Sequence, residues 1–191
     1  MEQYPLKNAV YVGHALLQPY IPTARVLVDM TCGNGHDTAF LAGHMSPQAT
    51  LYAFDLQAQA IEATRKRLAA ENLWSPQIKL QQGSHDKLLE ELQETADIIL
   101  FNLGYLPSGD HSLCTKGEIT IKAIKIGLHK IAKMGIIMIA AYPGTETGAA
   151  EAEAVRSFLQ KLPQKEFDVS SWQPLNQIHF PPILYMIQKR G

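Results

Sequence analysis

Short apolar runs closed by polar residues alternate along this chain with longer segments whose apolar positions recur every three or four residues. The runs predict strands at Val26–Met30, Thr50–Asp55, Ile78–Gln82, Asp97–Asn102 and Gly135–Tyr142, with two more at Glu166–Trp172 and Ile183–Lys189. The helical periodicity predicts helices over Leu6–Tyr20, Asp37–His44, Ala58–Glu71, His85–Glu94, Gly117–Met134 and Ala149–Leu162. Strands and helices that alternate in this way imply an α/β fold, a doubly wound and mostly parallel sheet with helices on both faces. The last two strands have only Gln173–Pro182 between them, which predicts an antiparallel hairpin at one edge of a seven-stranded sheet. No internal repeat, low-complexity tract or linker interrupts the pattern, so one domain over residues 1–191 is expected.

Composition narrows the class of protein. Hydrophobic residues make up 46% and charged residues 18%, a globular balance that can bury a core. A formal net charge of −1 gives no general affinity for polyanions, so contact with nucleic acid would need a local patch. Cys32 and Cys114 are too far apart in sequence for a zinc spacing, and a disulfide framework is not expected. The first ten residues lack a basic region followed by a long apolar one, so no signal peptide is expected. No apolar run approaches the ~18 residues of a membrane span. The expected location is the cytoplasm, without a membrane partner.

The chemistry concentrates where the first strand ends. Asp29 closes that strand, Gly33-Asn-Gly35 forms a turn, and Asp37 and Thr38 open the next helix. About twenty residues on, Asp55 closes the second strand, where an acid commonly accepts hydrogen bonds from a ribose diol. Glycines at 33 and 35 permit positive φ and close backbone approach, and the helix start offers unpaired N–H groups. A plain tight turn followed by an ordinary strand-end acid is the structural alternative. The third glycine of a dinucleotide fingerprint is absent, since His36, Asp37 and Thr38 follow Gly35. Asp29, just before the turn, would repel a pyrophosphate and suits a cationic ligand. S-adenosylmethionine, with an ammonium, a sulfonium and no phosphate, meets that requirement.

The seven-strand pattern and the Asp29–Thr38 run resemble the class I methyltransferase fold and its first motif. The resemblance implies that Asn34, Gly35, Asp37 and Thr38 border the methionine part of the cofactor. It implies that Asp55 holds the ribose hydroxyls with Gln57 close by. Leu56 would pack on the adenine, and Ser84, His85 and Asp86 would border it; the same three residues also suit a helix N-cap. The fourth strand runs into Phe101-Asn-Leu-Gly-Tyr-Leu-Pro107. This resembles the Asn-Pro-Pro-Tyr segment of amino methyltransferases, in which an Asn oxygen and a backbone carbonyl accept hydrogen bonds from the target NH₂. Asn102 would then supply the side-chain oxygen, Leu103 the carbonyl and Tyr105 a stacking surface. A turn built on Gly and Pro is the alternative. Asp110 and His111 are candidate proton acceptors, or simply solvated loop residues.

Three segments carry a closer resemblance: Asp29-Met-Thr-Cys-Gly-Asn-Gly-His-Asp-Thr38, Asn102-Leu-Gly-Tyr-Leu-Pro-Ser-Gly-Asp110 and Asn176-Gln-Ile-His-Phe-Pro-Pro182. In order, and over nearly the whole chain, the sequence resembles the YtqB/MnmM family, long labelled rRNA methylases. That resemblance implies methylation of 5-aminomethyl-2-thiouridine at the tRNA wobble position, with S-adenosylmethionine as donor and the anticodon stem-loop as partner. A homodimer is compatible with it. One departure follows the fifth strand, where Ala141-Tyr-Pro-Gly-Thr-Glu-Thr-Gly148 stands in place of a His-Gly pair common in the family. Tyr142 and Gly144 remain candidate substrate contacts there.

Within Gly117–Met134, Ile121, Ile124, Leu128 and Ile131 form an apolar stripe, while Lys122, Lys125, His129 and Lys133 share another face. That basic stripe, with Lys116, is a candidate contact for tRNA phosphates or an ordinary solvated face. Tyr11 and His14 either roof the site or pack on the sheet. Three functions therefore stand: a tRNA wobble-uridine amine methyltransferase; a methyltransferase acting on rRNA or a small amine; and a non-catalytic module that binds S-adenosylmethionine or RNA.

Overall fold

The computed structural model describes residues 6, 8–104 and 117–191. Seven strands form one sheet: β1 (Val26–Asp29), β2 (Thr50–Asp55), β3 (Ile78–Gln82), β4 (Ala96–Leu103), β5 (Ile131–Ala141), β6 (Phe167–Trp172) and β7 (Ile183–Lys189). Their spatial order is β3-β2-β1-β4-β5-β7-β6. All neighbours are parallel except β7, which runs antiparallel to both β5 and β6. The predicted terminal hairpin therefore inserts its second strand, β7, beside β5 and leaves β6 on the edge.

The central strands read as near-continuous apolar runs because helices cover both faces. Successive residues of β4 alternate between two cores. Ile98 and Leu100 join a cluster with Ala9, Val12 and Leu17 of α1 (Ala9–Leu17), Leu41 of α2 (His36–His44) and Leu68 of α3 (Ala58–Ala70). Ile99, Phe101 and Leu103 join the other, with Leu89 of α4 (His85–Glu91), Ile124 of α5 (Gly117–Lys130) and Val155 of α6 (Glu146–Leu159). Strand order reverses between β1 and β4, and the ends of those two strands are where ligands bind in sheets of this order. Among the described residues, no helix is long and apolar enough to cross a membrane.

The elements differ from their predicted spans mostly at the ends. Asn8 caps α1 by accepting from the Tyr11 N–H at 3.0 Å, which starts the helix at Ala9. Thr145 caps α6 in the same way through Gly148, so that helix begins three residues earlier than expected. The largest shift is at α5. Its apolar spacing continues to Ile131, but the helix ends at Lys130 and Ile131 pairs with Ala96. The ladder then slips, resuming with Ile98 opposite Ile136, and Met134 takes a φ of 64°. Periodicity alone could not show that slip, because Ile131 satisfies both a helical and a strand face.

Candidate functional site

The glycine turn is held from three sides. Gly33 and Gly35 have φ of 50° and 80°, and Gly35 is the residue before α2. A Cβ on Gly35 would stand 2.8 Å from the Thr64 backbone, so both conformation and space demand glycine. The Thr64 hydroxyl donates to the Gly33 carbonyl at 3.2 Å, and Arg67 Nε donates to the Asn34 carbonyl at 2.7 Å. From the sheet side, the Phe54 carbonyl accepts from the Cys32 N–H at 2.8 Å. Cys32 itself is buried, and that burial pushes its thiol up, so it offers no thiolate. The α3 clamp by Thr64 and Arg67 carries no motif, and nothing in the linear pattern singles those residues out.

Three carboxylates surround this turn. Asp29 is fully buried, accepting from the Thr38 hydroxyl at 2.6 Å and from the Thr31 N–H at 3.1 Å. Burial foremost, then the charge of Asp37, pushes its carboxyl up to about 7. Asp55 accepts from the Gly33 N–H at 2.9 Å and from the Gln57 N–H at 3.0 Å, tying the turn to the end of β2. Asp29 and Asp55 thus both build the turn, and each oxygen so engaged keeps a second lone pair.

At the end of β3, Ser84 precedes α4 and its hydroxyl donates to Asp86. Lys122 Nζ lies 2.7 Å from the other oxygen of Asp86. Although burial opposes it, Lys122 and Ser84 hold the Asp86 carboxyl down at about 2. Ser84 thus occupies the position before α4, but its hydroxyl is turned to Asp86 and makes no capping hydrogen bond to the helix backbone. His85 is buried edge-on to Phe101, with ring centroids 6.4 Å apart, and its Nε2 has no partner. Burial lowers its pKa, so the ring is neutral at physiological pH. Leu56, beside Asp55, is half exposed.

The end of β4 carries the second half of the site. The Thr31 hydroxyl accepts from the Asn102 N–H at 2.9 Å and donates to the Asn102 carbonyl at 3.1 Å, tying β1 to β4. Asn102 Nδ2 donates to Asp37 Oδ2 at 2.7 Å, and His14 Nε2 lies 2.8 Å from Asp37 Oδ1. His14 also stacks on Phe40, with centroids 3.8 Å apart and planes 4° from parallel. His14 thus reaches the site, whereas Tyr11 is half exposed on the same helix. Tyr142, just past β5, hydrogen-bonds Asn102; burial foremost and then the Asp37 charge push its phenol up to about 12. The Leu103 side chain is buried in the core, which leaves only its backbone for a ligand. Tyr105, Asp110, His111 and Lys116 lie outside the described residues.

The two α5 lysines part company. Lys122 belongs to the Asp86 edge, while Lys125 stands 5.6 Å over the Phe158 ring of α6. Among the described residues, no group of His, Cys, Asp and Glu could hold a metal ion.

Comparison with known proteins adds to this geometry. Residues 51–188 match the model of a family described as "Putative rRNA methylase". A chloroplastic tRNA (mnm(5)s(2)U34)-methyltransferase of Arabidopsis thaliana is 31% identical over 97% of this chain and 71% of its own length. The crystal structure of a "putative rRNA-methylase" from Clostridium thermocellum is 38% identical, with a TM-score of 0.90 over 96% of this chain and 98% of that one. A "putative methyltransferase" from Streptococcus mutans, solved in complex with SAH, is 36% identical, with a TM-score of 0.85 and the same coverage.

Proposed function

The chain belongs to the rRNA methylase family, and from that membership and the Asn102 site we propose that it methylates the primary amine of 5-aminomethyl-2-thiouridine at the tRNA wobble position. The coarse activity is methyl transfer from S-adenosylmethionine; SAH, the product of that donor, is bound in the Streptococcus mutans relative.

The residues present fit that donor. Asp37 and Asp55 place acidic groups around the turn, above the buried Asp29, a setting that suits an ammonium and a sulfonium and disfavours a phosphate. Asn34, Gly35, Asp37 and Thr38 would border the methionine portion, and Asp55 and Gln57 the ribose. Ser84 and His85 would border the adenine, where the orphaned His85 Nε2 awaits a polar partner. When bound, the donor supplies an electrophilic methyl on a sulfonium centre.

The remaining chemistry is positioning. A primary aliphatic amine with a pKa near ~10 must lose a proton before it can attack, and desolvation favours that loss. With Nδ2 committed to Asp37, Asn102 presents Oδ1 as an acceptor for the amine N–H. This is the observation that carries the reading, since an acceptor there orients the nitrogen lone pair. The Leu103 carbonyl is a second acceptor, and Tyr105 and Tyr142 would contact the base. Tyr142 remains a phenol at neutral pH, so it does not serve as a base. Asp110 is the proposed proton acceptor. On the RNA side, Lys125 and Lys122 of α5 are assigned to backbone phosphates of the anticodon stem-loop, whose unpaired base can be splayed into a pocket.

The test incubates the protein and labelled S-adenosylmethionine with tRNA from cells lacking the methyl group, then digests to nucleosides. Label in the wobble nucleoside is expected. Cofactor binding without transfer to that nucleoside overturns the reading, and label on rRNA in a parallel arm would support the family's older description.

A further inference from the structure

Amine recognition requires the oxygen of the Asn102 carboxamide, not its nitrogen, to face the acceptor. A carboxamide with no neighbour to discriminate its two ends has no reason to choose. We propose that His14 and Asp37 form a positioning pair that holds the Asn102 carboxamide with Oδ1 toward the acceptor amine. The inference rests on the amine-methylation reading above.

Asp37 supplies the discrimination. An ionised carboxylate only accepts, so the end of Asn102 that meets Asp37 Oδ2 at 2.7 Å must be its NH₂. Asp37 stands in the first turn of α2, where the helix N-terminus favours negative charge. His14 fixes the other oxygen. Its Nε2 lies 2.8 Å from Oδ1, and against an acceptor-only partner that nitrogen carries the proton. The imidazole is held flat on Phe40, one turn further along α2. The His14 and Asp37 side chains are only 16% and 6% exposed, so water competes little for either hydrogen bond. The chain of contacts runs from α1 through α2 to β4, and His14 acts only through Asp37. The pair thereby explains why α1 places an imidazole at a site built by strand ends, a role that packing on the sheet does not require.

Asp37 also borders the proposed donor site, so the test works through His14. His14→Phe keeps a flat ring against Phe40 but removes the donor; His14→Gln loses the ring but keeps an N–H donor. Single-turnover transfer to tRNA bearing the unmethylated amine should fall about ten- to hundredfold in His14→Phe, consistent with a displaced acceptor. His14→Gln should recover most of that loss, with Kd for S-adenosylmethionine within about threefold throughout. A packing role predicts the reverse order, and wild-type rates in His14→Phe overturn the pair. Should His14→Phe not fold, His14→Leu carries the same comparison, with the same loss expected and wild-type transfer as the overturning result. An NMR measurement needs no substrate: water exchange of the Asn102 side-chain N–H protons should quicken about tenfold in the donorless variant and not in His14→Gln. Equal exchange in all forms overturns the pair. Failure of the wild type to methylate the amine sinks the proposed function instead, and leaves the exchange measurement to decide the positioning.

Discussion

At the residue scale, the same side-chain type does different work at different positions. Asp29 is sealed under the turn, Asp55 ties two strand ends together, and Asp37 bridges His14 and Asn102. Asn102→Ala should cut methyl transfer about a hundredfold and change Kd for S-adenosylmethionine much less, because it removes the proposed acceptor for the amine and, beside it, one hydrogen bond to Asp37. Asp55→Ala should instead raise that Kd, and calorimetry showing an unchanged value would refute the ribose assignment. Asp29 makes a distinct prediction about pH. Its folded pKa, about 7, lies above the unfolded value of 3.8, so the unfolded chain loses this proton first. The group therefore costs nothing below pH ~4, and its penalty grows as pH rises to ~7, reaching a few kcal/mol in order of magnitude. Asp29→Asn should remove that decline, seen as a flatter Tm between pH 4 and 8; a slope equal to wild type would contradict the burial assigned to Asp29. The strand-end acids are legible in the sequence because each closes an apolar run, and Asn102 because its segment resembles a known motif. The partners of Asp37 are not, since they lie 23 and 65 residues away.

At the element scale, the turn between β1 and α2 is braced by α3, through Thr64 and Arg67. This explains why Gly35 tolerates no side chain: φ of 80° is strained for other residues, and the Thr64 backbone occupies the space. Gly35→Ala should lower stability by about 1–3 kcal/mol and weaken the cofactor together with it, as read by thermal melts with and without S-adenosylmethionine. A variant with wild-type stability would show that α3 yields, contrary to the brace. Helix and strand existence was readable from period 3.6 and from apolar runs, but boundaries were not. At α5 the apolar stripe ran on into β5, and only pairing with β4 decided where the helix stopped. At α1 and α6 the caps Asn8 and Thr145 decided it.

At the scale of the whole molecule, a net charge of −1 means that the proposed contact with RNA needs a confined basic surface. Lys122 is committed to Asp86, so reversing its charge would disturb the proposed adenine edge as well. Lys125 rests on Phe158 and is the cleaner probe. Lys125→Glu should weaken tRNA binding and reduce the slope of log K against log salt by about one, with cofactor affinity unchanged. An unaltered salt slope would remove α5 from the RNA surface. The doubly wound order then brings the strand-end candidates Asp29, Asp55 and Asn102 to one edge of the sheet. The sequence by itself determined the alternation of strands and helices, and with it a mostly parallel sheet with a terminal hairpin, and the glycine turn flanked by acids, because each is written in local periodicity and in the residues that close each run. Only the tertiary structure decided that the Asn102 amide donates to Asp37, that His14 meets the same carboxylate, and that α3 clamps the turn. Those outcomes depend on directional hydrogen bonds between side chains that become neighbours only after the sheet has brought distant strand and helix ends together.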